Sequence, residues 1–258
     1  MTALLDDLQA ARGSGRKLLV PYLMGGIPDR VSYPAALAAI ERHADIVEVG
    51  LPFSDPLMDG PVIAAAGERI ISAGIGPLDV LDLTAAVDAT KRRVVMTYYN
   101  PIHHLGEKEF CSRAAGGGFS GLIVPDLPVE ESGALRSAAA DAGLAWIPLV
   151  APTSSPERVA SIVATATGFV YAVSTLGVTG TRTSLSERAA KVVAACRAAT
   201  DLPVLVGIGV STPEQATEAA LSADGVVVGS AVVRLVLDQG VEAAAGFLRN
   251  LRAALDVI

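Results

Sequence analysis

Eight short apolar runs alternate with amphipathic stretches over 258 residues, and no break in composition divides them. That pattern predicts an α/β protein: a single (β/α)8 TIM barrel spanning residues 1–258, with long loops after strands 2 and 6. The runs are nearly continuous in apolar residues rather than alternating, as strands are when crossover helices bury both faces of a parallel sheet. A doubly wound sheet fits less well. It usually has fewer strands and often carries G-x-G-x-x-G after the first, whereas here the first run ends in Met24-Gly25-Gly26-Ile27-Pro28-Asp29.

In chain order the predicted strands are Leu18–Leu23, Asp45–Val49, Arg93–Tyr98, Gly121–Pro125, Ala145–Val150, Gly168–Val173, Val204–Ile208 and Gly225–Val228, each bounded by Gly, Pro, Asp or Ser. Between them Tyr33–Arg42, Glu130–Ala142, Pro156–Ala166, Leu185–Ala199 and Pro213–Ser222 read as amphipathic helices. The spacing is uneven. Strand two to strand three and strand six to strand seven are the longest intervals, and barrel active sites are built from loops after strand C-termini. Those two excursions are where chemistry is expected.

Composition narrows the function class. The net charge is −7, so a broad nucleic-acid surface of clustered Lys and Arg is not expected. Asp6 and Asp7 stand where a signal peptide would need positive charge, and no apolar run approaches the roughly 18 residues of a membrane span, so the expectation is a cytoplasmic protein. The mean hydropathy of +0.48 is assigned to a core. Cys111 and Cys196 form no C-x-x-C pair, His103 and His104 are adjacent, and His43 lies on a predicted helix. No metal site is expected.

The first excursion, DIVEVGLPFSDPLMDGPVI, places Glu48 within an apolar strand end. An unpaired carboxylate there is costly to bury, and its pKa rises in response, which suits a general acid/base. Asp59, before Gly60-Pro61, reads either as a turn residue or as a second functional carboxylate, while Asp55 reads as a turn-former. The second excursion, VSTLGVTGTRTS from Val173 to Ser184, is long enough to fold over a ligand. After strand seven come Gly207-Ile208-Gly209 and Ser211-Thr212-Pro213-Glu214, and after strand eight comes Gly229-Ser230 at a helix start. Glycines and helix N-termini present unpaired N–H groups, so the two loops are read as a phosphate cradle. Asp126, ending strand four, reads as a cap for the helix that follows, and Tyr171 reads as core.

VEVGLPFSDPLMDGP resembles the signature of the tryptophan synthase α subunit family, and VPYLMGGIPD, MTYYNPI, VPDLPVEES, YAVSTLGVTGTR, VGIGVSTPEQ and VVVGSAVV follow the same family in order. The resemblance implies a lyase of tryptophan biosynthesis that cleaves indole-3-glycerol phosphate to indole and glyceraldehyde 3-phosphate. By resemblance Glu48 and Asp59 are the catalytic pair. Tyr22, Ile63, Met96 and Ile123 form the apolar wall around the indole, Tyr171 lies against substrate and the catalytic Glu, and Thr179 approaches the substrate from the closing lid. Gly180, Gly209, Gly229 and Ser230 are the implied phosphate contacts, and Asp126 the implied support of a subunit contact. The resemblance implies no cofactor in this chain, a β subunit carrying pyridoxal phosphate, and an α2β2 heterotetramer. Tyr22, where some relatives have Phe, and Met58, where relatives often have Ala, are departures that remove no functional group. Two other readings stay open on the residues alone: a sugar-phosphate isomerase or epimerase, and an inert phosphate-binding regulatory barrel.

Overall fold

The structure is a computed structural model that describes residues 2–173 and 182–258, leaving aside the side chains of 182–186. Its elements run α1 (Ala3–Gly13), β1 (Leu18–Met24), α2 (Tyr33–Glu41), β2 (Ile46–Gly50), α3 (Pro61–Ser72), α4 (Pro77–Ala85), β3 (Arg92–Met96), α5 (Tyr99–Leu105), α6 (Glu107–Gly116) and β4 (Phe119–Ile123). They continue with α7 (Gly133–Asp141), β5 (Ala145–Trp146), β6 (Leu149–Val150), α8 (Pro156–Val163), β7 (Val170–Val173), α9 (Arg182–Arg197), β8 (Val204–Gly207), α10 (Pro213–Ser222), β9 (Gly225–Val228), α11 (Ser230–Gln239) and α12 (Val241–Leu255).

Every described strand pairing is parallel, in the order β5-β4-β3-β2-β1-β9-β8-β7-β6. The two ends of that order are halves of the expected fifth strand, broken at Ile147-Pro148. Pro148 has no N–H to donate. Ile147 N–H still reaches Leu122 O at 3.0 Å, and Tyr171 N–H reaches Pro148 O at 3.0 Å, so this segment bridges the neighbours and the cylinder closes. The excursion after β2 is mostly helical: a loop over residues 51–60, then α3 and α4.

Side chains fill the barrel in layers. Leu18, Val20, Ile46, Val94, Ile123, Ile147, Phe169, Leu205 and Val227 point inward and are nearly solvent-free. Beneath them Leu4 and Leu8 of α1 plug the N-terminal end. This helix was not among those expected; it starts at Thr2, whose hydroxyl accepts from Leu5 N–H. Outside the strands a second cluster packs the helices onto the sheet. Two polar clamps join elements distant in sequence. Asp45 accepts from Leu19 N–H, Arg16 and Arg252, while buried Arg93 meets Glu41 at 2.5 Å and also donates to Thr84 O and Val87 O. Asp126 departs from expectation. Its carboxylate accepts from Tyr99 N–H at 2.9 Å, serving the start of α5 across the strand ends, while the N-cap position of α7 is held by Ser132.

Candidate active site

At the C-terminal end of the barrel the inward layer changes from apolar to ionisable. Glu48 pairs in register with Tyr22 on β1 and Val94 on β3, so its side chain shares the inward face with theirs. It is 1% exposed, and its Oε2 has no hydrogen-bond partner among the described residues. Burial first, and then the nearby Asp59 charge, push its carboxyl from 4.5 up to about 8.

Asp59 arrives on the loop over 51–60, where the expected turn is formed and its carboxyl is brought into the same cavity as Glu48. Its N–H donates to Pro56 O at 3.1 Å, closing a turn, while its carboxylate faces the barrel mouth and is raised by burial to about 6. A hydrogen bond from the Tyr98 hydroxyl opposes that rise. The same hydroxyl accepts from Met58 N–H at 2.9 Å, and the Tyr98 ring stacks on Phe53 at 5.1 Å, so Tyr98 anchors the loop at both ends. Of its apolar side chains Leu51 is buried, whereas Leu57 is 92% exposed. Sequence reasoning assigned Tyr98 no role. Its position two residues beyond Met96, continuing the inward face of β3, is the signal that could have found it.

A cavity of about 160 Å³ brings together Tyr22, Glu48, Asp59, Ile63, Met96, Ile123, Tyr171 and Gly229 of the expected set, and adds Pro125, Leu149 and Val227 to its apolar wall. Thr179 and Gly180, with the expected lid, lie in or border the segment outside the described residues. Gly209 and Ser230 are described but do not line this cavity. Gly209 sits at φ +74°, a backbone conformation that favours glycine. The two helix starts differ. Thr212 and Gln215 cap α10 with their own side chains, whereas α11 begins at Gly229 with no side-chain cap, leaving its first N–H groups available to an anion. A wider cleft of about 450 Å³ lies at the opposite end, between α1 and the starts of β2, β3 and β4, but its carboxylates Asp7 and Asp45 are already engaged by arginines.

A closed parallel barrel with two carboxylates of unlike environment at its C-terminal mouth, beside an uncapped helix start, has the build of a barrel enzyme with its chemistry at the strand ends. The family model described as tryptophan synthase alpha chain matches residues 8–254. The chain belongs to that family. It is 46% identical to the tryptophan synthase alpha chain of Synechococcus elongatus over 99% of this chain and 98% of that one, and 49% identical to that of Streptomyces avermitilis over 93% and 88%. Among solved structures it is similar to a Mycobacterium tuberculosis tryptophan synthase chain, with TM-score 0.92, 41% identity and 98% of each chain covered.

Proposed function

We infer that this chain, working as one barrel domain over residues 1–258, cleaves indole-3-glycerol phosphate to indole and glyceraldehyde 3-phosphate as the α subunit of tryptophan synthase. The observation that carries the residue roles is the separation of the two carboxyl groups. With Glu48 near 8 and Asp59 near 6, at neutral pH one is protonated and the other ionised. Glu48 can therefore give a proton to ring carbon C3, making the ring an electron sink, while Asp59 accepts the ring N–H as positive charge develops. Glu48 then takes the proton of the hydroxyl on the carbon bound to the ring. The carbon–carbon bond breaks, its electron pair returns to the ring, and the hydroxyl oxygen becomes the aldehyde oxygen. Protons balance, because the one lost by the hydroxyl replaces the one delivered to C3.

Tyr22, Ile63, Met96, Ile123 and Tyr171 surround the indole in this reading, with Thr179 as a further substrate contact. Gly180, Gly209, Gly229 and Ser230 hold the phosphate, and the uncapped start of α11 supports that assignment. The steps call for no cofactor in this chain, and pyridoxal phosphate belongs to the partner β subunit of an α2β2 assembly. Exposed Leu57 and Met58 on the loop that carries Asp59 are suited to that contact. The family also sets the expectation of a cytoplasmic enzyme. The test is indole release from indole-3-glycerol phosphate by the purified chain, with Glu48→Gln as control. The variant is expected to lose at least about 100-fold in turnover, and full turnover in the variant would overturn the assignment of Glu48.

A further inference from the structure

Tyr22 carries more than an apolar wall requires. It stands beside Glu48 in the β1–β2 register, and the next inward position on β2 is Gly50. Gly50 leaves that position empty and the Tyr22 ring fills it: a Cβ on Gly50 would fall on the phenol hydroxyl. The hydroxyl is thus held at the end of β2, where the chain leaves for the loop that carries Asp59. Tyr22 is 3% exposed, yet its hydroxyl has as its described partner only the Met24 sulfur at 3.9 Å, a weak acceptor. Burial, with Asp59 and Glu48 nearby, holds the phenol well above its usual range, so it stays protonated and able to donate. The neighbouring wall residues Ile63, Met96 and Ile123 offer no hydrogen bond.

We propose that the Tyr22 hydroxyl is a substrate-reading group: it donates to the side-chain hydroxyl oxygen on the carbon bound to the ring, the same oxygen whose proton Glu48 removes. This rests on the site reading given above and adds to it a determinant of specificity. With Glu48 and Asp59 occupied at the ring and at the departing proton, the side-chain donors that the cavity wall leaves for the negative charge developing on that oxygen are the Tyr22 and Tyr171 hydroxyls, and Tyr22 is the one beside Glu48 in the strand register. A donor fixed by packing against Gly50 needs no rearrangement when the charge appears.

The test compares two ligands on the wild-type chain and on Tyr22→Phe, which keeps the ring and removes only the hydroxyl. Indole-3-glycerol phosphate has the hydroxyl to be read; indole-3-propanol phosphate has the same ring and phosphate but neither side-chain hydroxyl. The expected result is a fall in kcat/KM for the first of about five- to tenfold, the size of one hydrogen bond, with the Kd of the second unchanged within about twofold. Equal losses on both ligands would make Tyr22 a packing residue and overturn the proposal, as would no loss on either. If indole-3-propanol phosphate fails to bind the wild-type chain, the underlying site reading fails and takes this proposal with it.

Discussion

Glu48→Gln should make the folded chain more stable while it removes activity, and the gain should depend on pH in a defined direction. Glu48 is buried with one oxygen unpartnered, and its carboxyl is raised from 4.5 to about 8. Between those values the folded chain keeps a proton that the unfolded chain releases, so stability contributed by this group falls as pH rises through the window. The cost is absent below about pH 4.5 and complete above about pH 8. With about 1.4 kcal/mol for each pH unit, it reaches about 3 kcal/mol at pH 7 and is under about 1 kcal/mol at pH 5. Glutamine has the same size and does not titrate. Burying its unpaired amide subtracts an amount that does not vary with pH, so the diagnostic is the slope. Asp59 is present in both proteins and largely cancels in the difference. Urea unfolding at pH 5, 6, 7 and 8 can be followed by the fluorescence of Trp146, the only tryptophan and a buried one. The variant's advantage should grow by about 2.5 kcal/mol between pH 5 and pH 7. A flat difference would mean that Glu48 is ionised and paired in the folded chain, which would refute the assignment of its proton.

Tyr98→Phe removes the hydrogen bond that holds Asp59 down, so the Asp59 carboxyl should rise above about 6. The acid limb of the kcat/KM profile should then move to higher pH by about 0.7 of a unit, one hydrogen bond's worth, and an unmoved limb would detach Tyr98 from Asp59. Ser230→Ala should weaken glycerol phosphate binding by about three- to tenfold without changing that of indole; calorimetry with each ligand checks it, and equal losses would indicate general damage. Adding a β subunit should raise turnover of the parent chain at least about tenfold, about 1.4 kcal/mol of barrier, and the Leu57→Asp, Met58→Asp double variant should lose that response. A double variant still fully activated would take the loop out of the coupling.

The strands were legible because a parallel barrel buries both faces, which turns each strand into an apolar run that survives inspection without any partner in view. Pro213–Ser222 matched to the residue because Thr212-Pro213 marks a helix start chemically. The break at Pro148 was also written in the sequence, yet it was read as part of one strand because the flanking residues are all apolar. The segment Ala3–Gly13 is rich in helix formers behind Thr2, but it precedes the first strand and was weighed only against a signal peptide; its place is set by the barrel end that receives Leu4 and Leu8. In the site, Glu48 was legible as a charge inside an apolar run. Tyr98 was not, since its role depends on a loop folding back from 40 positions earlier in the chain. The Thr212 cap of α10 was legible too, but not that Gln215 closes that helix start further while α11 begins with no side-chain cap. Gly209-x-Ser-Thr-Pro and Gly229-Ser230 look alike until the reach of Gln215 back to Ser211 is seen.

The plug at the N-terminal end has a consequence for isotopes. Below Glu48 the barrel is filled by Leu18, Val20, Ile46, Leu205 and Val227, and then by Leu4 and Leu8, all at most 3% exposed. Among the described residues this packing closes that side of the carboxyl, so exchange with solvent passes through the mouth that the substrate occupies in the proposed reaction. While a ligand is seated, the hydrogen on Glu48 is sequestered. In heavy water, a chain loaded with substrate still carrying protium on the reacting hydroxyl would pass that atom to Glu48 at the end of cleavage, and the label would leave only after the products had gone. Closing one end of a cylinder with two leucines thus gives the carboxyl a single exit, so in the proposed reaction its hydrogen trades with solvent between turnovers, when the mouth stands open.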